Sequence, residues 1–157
     1  MTECWCCDNP TASHDDYIKY MQRTIKAHGR MVQAVEGTRV YAPFAYTVGL
    51  TCAGLPELVI TGKRAALACS MLNAVAGYVS DGNVILPGEV MRLGDVHLEA
   101  VVVPQPEAHL ISAVELYGSS ARGLQMVWAD GRERLPWEVG HRGGRGGQPV
   151  LGPRSRS

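Results

Sequence analysis

The run Leu58-Val59-Ile60-Thr61 constrains the fold of this chain more than any other segment. It lies between Pro56 and Gly62 and contains no charged residue, which predicts a short strand that is apolar on both faces. Such a strand has to be covered on both sides, so we expect it in the middle of a sheet. The chain has 157 residues, 46% of them hydrophobic, which is enough for one domain with a substantial core.

Hydrophobic periodicity and turn residues predict eight further elements around this strand. The predicted helices are one that starts within 11–16 and ends at His28, then 65–79 and 107–117; the other predicted strands are 31–36, 44–50, 89–93, 96–103 and 124–128. This order lacks the strict alternation of a doubly wound sheet. We therefore predict an α+β fold, with about three helices on a mostly antiparallel sheet of five to six strands.

The net charge of zero hides an uneven distribution along the chain. Residues 1–131 contain 9 Lys and Arg against 13 Asp and Glu, whereas residues 132–157 contain 6 Arg against 2 Glu. The last segment is also rich in glycine, so it cannot fold unless another surface holds it. We predict three parts: a cysteine-rich N-terminal arm (1–12), a single α+β domain (13–137) and a basic Gly/Arg-rich C-terminal arm (138–157).

Two interpretations of the C-terminal arm are open. Arg142 and Arg145 stand in a run of arginine and glycine similar to short RGG segments, which bind nucleic acid by charge and stacking. Trp137, Val150 and Leu151 are apolar, and they favour an arm that packs on the acidic body or on a second subunit. We prefer the packed arm, and we predict Arg142, Arg145 and Trp137 as partner-binding residues.

Three of the five cysteines fall within the first seven residues, where Cys4 and Cys7 form a C-x-x-C pair. Two thiolates at this spacing can bind one zinc ion or close one disulfide. Cys6, His14 or His28 could complete a zinc site, and the candidate ligands are Cys4, Cys7 and His14. The alternatives are a redox pair and an unliganded arm whose thiols only pack.

Several polar residues are candidates for a pocket. They are His28, Tyr46, Glu57, His109, Gln125 and Asp130. Glu57 lies beside the apolar strand, where a buried carboxylate needs a partner or a proton. With His28 and Tyr46 it could transfer protons as a small acid–base enzyme. The alternative gives these residues structural roles, because no motif shows that they converge.

Motifs for nucleotide or acyl chemistry are absent from the sequence. The chain has no P-loop, no G-x-G-x-x-G turn after a strand and no G-x-S-x-G elbow, so we expect no nucleotide cofactor. No apolar stretch approaches the ~20 residues needed to span a bilayer. The N-terminus is acidic and unlike a secretory signal, which favours a cytoplasmic protein.

Several segments together resemble the bacterial family known as domain of unknown function 4262. They are Cys4-Trp5-Cys6-Cys7-Asp8, His28-Gly29, 45–50 (AYTVGL), 55–59 (LPELV), 124–128 (LQMVW), Leu135-Pro136-Trp137 and 142–152. The resemblance covers most of the chain and implies no specific activity or cofactor. Relatives usually carry a bulky aromatic residue after His-Gly, where this chain has Arg30.

These observations favour a small cytoplasmic binding or interaction protein over an established type of enzyme. We expect a homodimer or another homo-oligomer, a protein partner, no membrane association and a structural zinc at the cysteine pair. The first alternative is the acid–base enzyme that uses Glu57, His28 and Tyr46. The second is a regulatory or phage-type effector that binds nucleic acid or a host protein through the C-terminal arm.

Overall fold

The computed structural model describes residues 8–155, in which four α-helices and six strands are found. The helices are α1 (His14–His28), α2 (Ala65–Ser80), α3 (Pro106–His109) and α4 (Ile111–Tyr117). The strands are β1 (Met31–Val35), β2 (Phe44–Val48), β3 (Glu57–Thr61), β4 (Val90–Leu93), β5 (Val96–Val103) and β6 (Gly123–Trp128). None of these helices is long and apolar enough to cross a membrane.

The six strands form one sheet in the order β1-β2-β3-β6-β5-β4. Neighbouring strands are antiparallel except β3 and β6, which run parallel and pair over 57–59 and 123–125. The predicted α+β class and mostly antiparallel sheet are therefore confirmed. The parallel pair also places the carboxyl ends of β3 and β6 at the same edge of the sheet.

β3 lies inside the sheet, and all five of its residues are buried. Leu58 and Ile60 belong to the core that packs under α2, while Val59 belongs to a second core that contains residues of α4. The two cores lie on opposite faces because successive side chains of a strand alternate. The expectation of a central strand without a polar face is therefore confirmed.

α1 begins and ends at signals that the sequence carries. The backbone N–H of Asp16 donates to the Ser13 hydroxyl at 3.1 Å, and the Ser13 N–H donates to the Asp16 carboxylate at 3.0 Å. This reciprocal pair is a capping box. Gly29 ends the helix with φ of 85°, a conformation that costs glycine little. His28 is the last helical residue, as predicted.

The predicted single helix over 107–117 is wrong, because the structure divides it in two. α3 ends at His109 and α4 begins at Ile111. Leu110 lies between them with φ of −97° and ψ of 56°, and its side chain is completely buried in the second core. Burial of this side chain is worth about 2 kcal/mol, which offsets the loss of helical hydrogen bonds at the break.

Ile60→Asp is expected to abolish soluble expression. Ile60 is 1% exposed in the middle of β3, and an unpaired charge there would lose its hydration without compensation. The control is Val35→Asp, because Val35 is 38% exposed on the edge strand β1. The measurement is the soluble fraction after expression, followed by circular dichroism. A soluble, normally folded Ile60→Asp protein would contradict the placement of β3 in the core.

Candidate functional site

The C-terminal segment, residues 138–155, lies against the sheet where β3 and β6 stop pairing. The Gln148 side chain forms two hydrogen bonds with the backbone of Trp128, accepting from its N–H and donating to its carbonyl, both at 2.9 Å. Gln148 is 5% exposed and Trp128 3%. Gln148 thus satisfies the backbone of β6 in the way a neighbouring strand would.

Gln125 of β6 binds the same segment just beyond Gln148, at Pro149 and Leu151. Its amide nitrogen donates to the Pro149 carbonyl at 2.9 Å, and its amide oxygen accepts from the Leu151 N–H at 2.8 Å. The Thr61 hydroxyl also donates to the Pro149 carbonyl, at 2.7 Å. Gln125 is completely buried, so these contacts satisfy a polar group that would otherwise be costly.

Arg154 fixes the end of the segment. Its guanidinium makes two hydrogen bonds to the Glu99 carboxylate, at 2.9 and 3.0 Å. The same guanidinium lies 4.6 Å from the centre of the Trp137 ring. Trp137 was predicted as a partner-binding residue, and here it contacts an arginine of its own chain.

A cleft of about 500 Å³ opens between this segment and the carboxyl ends of β3 and β6. Two of its walls follow directly from the parallel pair, since Lys63 comes after β3 and Asp130 comes after β6. The carboxyl ends of parallel strands are a common place for ligand sites in α/β sheets. The lining residues are Gly62, Lys63, Trp128, Asp130, Gly131, Arg132, Gly140, Arg142, Gly143 and Arg145.

Asp130 is the single carboxylate in the lining, and backbone N–H groups occupy both of its oxygens. Oδ1 accepts from Arg132 and Arg134 at 2.9 Å each, and Oδ2 accepts from Arg142 at 2.6 Å. These hydrogen bonds, together with the nearby His141, lower the pKa of Asp130 from 3.8 to about 2. The carboxylate therefore joins the two loops of the cleft and stays ionised.

Two cations share the ring of Trp128. The Lys63 ammonium lies 3.8 Å from the ring centre and the Arg142 guanidinium 5.6 Å from it. Partial burial and the charge of Arg142 lower the pKa of Lys63, whereas the ring face favours the charged form. The indole N–H donates to the Thr61 carbonyl at 2.8 Å, which fixes the ring beneath both cations.

Arg132 and Arg145 complete the positive lining. In the described part of the chain, neither guanidinium makes a hydrogen bond or an ion pair. Each guanidinium therefore presents its full set of donors to solvent. Four cations against one carboxylate give the lining a net charge of +3.

Two glycines let the backbone close around the cleft. A Cβ on Gly62 would lie 2.5 Å from the carbonyl oxygen of Gly147. A Cβ on Gly147 would collide with the Arg142 guanidinium, and Gly147 has φ of 91°. A larger residue at Gly62 would push the C-terminal segment off the strands, whereas a larger residue at Gly147 would displace the Arg142 side chain and strain the backbone.

Glu57 is the most deeply buried of the predicted pocket residues, with no exposed surface. Its carboxylate accepts hydrogen bonds from three backbone N–H groups and from two hydroxyls, those of Thr47 at 2.8 Å and Thr51 at 2.5 Å. The backbone donors are Gly49, Leu50 and Thr51, at 3.0 to 3.2 Å. Glu57 thus organises the loop between β2 and β3.

The other predicted acid–base residues form no hydrogen bond with Glu57 among residues 8–155. The Tyr46 hydroxyl accepts from the Ser112 N–H at 3.0 Å, and burial raises its pKa. His28 is exposed at the end of α1, and His109 is half-buried in α3. Among residues 8–155, no hydrogen bond or ion pair joins Glu57, His28 and Tyr46. The structure therefore brings Asp130, Arg142 and Arg145 into one site, with Gln125 behind it.

The predicted zinc ligands Cys4 and Cys7, with Cys6, lie outside the described residues. His14 lies within them, and its Nε2 contacts the Glu115 carboxylate. In the part of the chain that the structure describes, no group of three or more His, Cys, Asp or Glu could hold a metal ion. Zinc at the cysteine pair stays a prediction.

Lys63, Trp128 and Arg132 are cleft residues that the sequence analysis missed. Lys63 follows the apolar strand directly, and Arg132 follows the Asp130-Gly131 turn after β6. Each position looks like an ordinary strand exit. Only the parallel pairing of β3 with β6 brings the two exits together.

The chain belongs to the family described as Domain of unknown function (DUF4262), whose sequence profile matches residues 24–142. This confirms the resemblance to that family. The matched range contains Lys63, Trp128, Asp130 and Arg132 and ends at Arg142. No curated protein and no solved structure matches the chain.

Gln148→Ala is expected to lower the free energy of unfolding by about 2 kcal/mol, because it leaves two buried backbone groups of Trp128 without partners. The matched control is Gln105→Ala, since Gln105 is exposed and its side chain caps no helix. Urea denaturation measures the change, and limited trypsin digestion should show faster cleavage at Arg142 and Arg145. Equal stability of the two variants would contradict the proposed attachment of the segment.

Asp130→Asn is expected to destabilise the protein at neutral pH and to lose this effect in acid. The folded pKa of about 2 lies below the ordinary 3.8, so the contribution of Asp130 is complete above the unfolded value. It declines as pH falls from about 4 towards 2. Guanidinium denaturation across this range should show the two curves converging, whereas the control Asp95→Asn should follow wild type. A pH-independent difference would contradict this assignment.

Proposed function

We propose that this protein is a binding protein whose ligand-binding site is the basic cleft, and that the cleft binds an anionic group of the ligand. The observation that carries the proposal is the state of Asp130. Its oxygens are occupied by backbone N–H groups, so it contributes no side-chain partner to the four surrounding cations. The lining keeps a net charge of +3 with Asp130 ionised, and an anionic ligand would supply negative charge to balance it.

The cations are held close together by the fold. Lys63 and Arg142 lie over the same ring, where they repel each other. Within residues 8–155, Arg132 and Arg145 keep all their side-chain donors available. An anion placed among them would form charge-assisted hydrogen bonds, which are about twice as strong as neutral ones. The arrangement supports binding of an anionic group among the four cations.

The acid–base alternative has less support. Proton transfer needs a carboxylate with an oxygen free to reach a substrate, and both Glu57 oxygens accept hydrogen bonds from the loop that follows β2. Among residues 8–155, neither Tyr46 nor His28 forms a hydrogen bond with Glu57. The basic cleft, in contrast, is open and carries its donors towards solvent.

The nucleic-acid alternative shares Arg142 and Arg145 with this proposal. It requires the C-terminal segment to leave the body, or bases to stack on exposed aromatic rings. Trp128 is the one aromatic residue of the lining, and it is 3% exposed. Homodimer formation and zinc binding at Cys4 and Cys7 are separate proposals, and anion binding in the cleft does not depend on either of them.

Inorganic phosphate is expected to shift backbone amide resonances around Lys63, 130–132 and 142–145 in an NMR titration of the full chain. The ionic strength is held constant, so that screening does not change along the titration. Lys63→Gln should raise the apparent Kd for phosphate by roughly threefold to tenfold, as the loss of one charge-assisted contact predicts. The charge-matched control is Lys19→Gln on the exposed face of α1.

Shifts spread evenly over the surface, or equal Kd values for the two variants, would refute the cleft as the binding site. Single-stranded DNA is the second probe. Salt-dependent micromolar affinity that disappears on deletion of residues 138–157 would instead favour the effector hypothesis.

A further inference from the structure

We infer that the ligand of the cleft is a compact oligophosphate, with at least two linked phosphoryl groups, and that the cleft does not recognise any base attached to them. This inference rests on the proposed function, since it names the chemistry of the anion that the same site would hold. It follows from the pairing of the cations, the charge, the size of the cleft and the covered face of Trp128.

The four cations form two unlike pairs. Lys63 and Arg142 are an inner pair, fixed on the Trp128 ring at 3.8 and 5.6 Å from its centre. Arg142 is held further by a hydrogen bond from its Nη1 to the Gly146 carbonyl, at 2.6 Å. Arg132 and Arg145 are the second pair, grouped here because neither side chain makes a hydrogen bond or an ion pair among the described residues. Two held cations and two free guanidinium groups can together contact two linked anionic groups.

The charge of the cleft also fits more than one phosphoryl group. A phosphoryl group carries about −1.5 to −2 charges near neutral pH. One such group would leave the net charge of +3 partly uncompensated, whereas two linked groups would neutralise it. Arginine forks match phosphate oxygens in a bidentate manner, which favours phosphate over a lone carboxylate.

The size of the cleft is compatible with linked phosphoryl groups. Its volume is about 500 Å³, and a water molecule occupies roughly 30 Å³ in the liquid. The cleft therefore has room for more than one phosphoryl group.

A base would find no stacking partner in the cleft. Base recognition without hydrogen-bond readout depends on an exposed aromatic face, and Trp128 is the single aromatic residue of the lining. Trp128 as a whole is 3% exposed, and the Lys63 ammonium lies over its ring. Trp137 lies outside the lining, against Arg154. The phosphate chain alone therefore has to supply the affinity.

Isothermal titration calorimetry of the full chain tests the inference with four probes, at constant ionic strength and without added divalent metal. The probes are orthophosphate, pyrophosphate, inorganic triphosphate and adenosine triphosphate. We expect pyrophosphate to bind at least about tenfold more tightly than orthophosphate, because it adds a second set of charge-assisted contacts. Adenosine triphosphate and inorganic triphosphate should agree within roughly threefold, since stacking adds nothing.

A double variant, Arg132→Gln with Arg145→Gln, separates the two cation pairs. Both side chains are exposed and make no hydrogen bond or ion pair among the described residues, so folding should be preserved and is checked by circular dichroism. The advantage of pyrophosphate over orthophosphate should then fall below about threefold. The charge-matched control is Arg23→Gln with Arg39→Gln, two exposed arginines outside the cleft, which should keep the full advantage.

The outcomes distinguish this inference from the proposed function. Equal affinity for orthophosphate and pyrophosphate would overturn the oligophosphate inference and leave anion binding intact. An advantage of adenosine triphosphate over triphosphate of tenfold or more would overturn the claim that the base is not recognised. If none of the four probes binds, the proposed function itself fails.

Discussion

The pairing of the Gln148 amide with the backbone of Trp128 is the interaction on which the cleft depends. It places the C-terminal segment beside β6 at the point where β3 no longer pairs with that strand. Without it, two buried backbone groups would lose their partners, at a cost of about 1 kcal/mol each. Arg142 and Arg145 are carried by this segment, so two of the four cations of the lining are in place only while the segment is attached.

Asp130 and Glu57 show two uses of a carboxylate in one small domain. Both accept backbone N–H groups of nearby loops, and both thereby fix loop geometry. Glu57 is completely buried and organises the loop between β2 and β3, away from the cleft. Asp130 stands within the cleft, where its oxygens accept backbone N–H groups and, among residues 8–155, form no ion pair with the lysine and arginines of the lining. The site is basic because four cations outnumber this one carboxylate.

Most of the elements could be predicted from the sequence, because their signals are local. The Ser13 cap and Gly29 define α1, and the apolar run 58–61 defines β3 as a central strand. The break at Leu110 could not be predicted, since it depends on the core into which that side chain packs. The candidate site was predicted in part: Arg142, Arg145 and Asp130 line the cleft, whereas Lys63, Trp128 and Arg132 were missed.

The sequence by itself determined the class of fold, the family and the concentration of arginine near the C-terminus, since all three are carried by composition, periodicity and short motifs. Only the tertiary structure decided where those arginines lie. The parallel pairing of β3 with β6 brings Lys63 beside Asp130, although 67 residues of sequence separate them. The buried amides of Gln125 and Gln148 then fix the C-terminal segment above that edge. Such contacts depend on strand order and on buried hydrogen bonds between distant residues, which local sequence patterns do not encode.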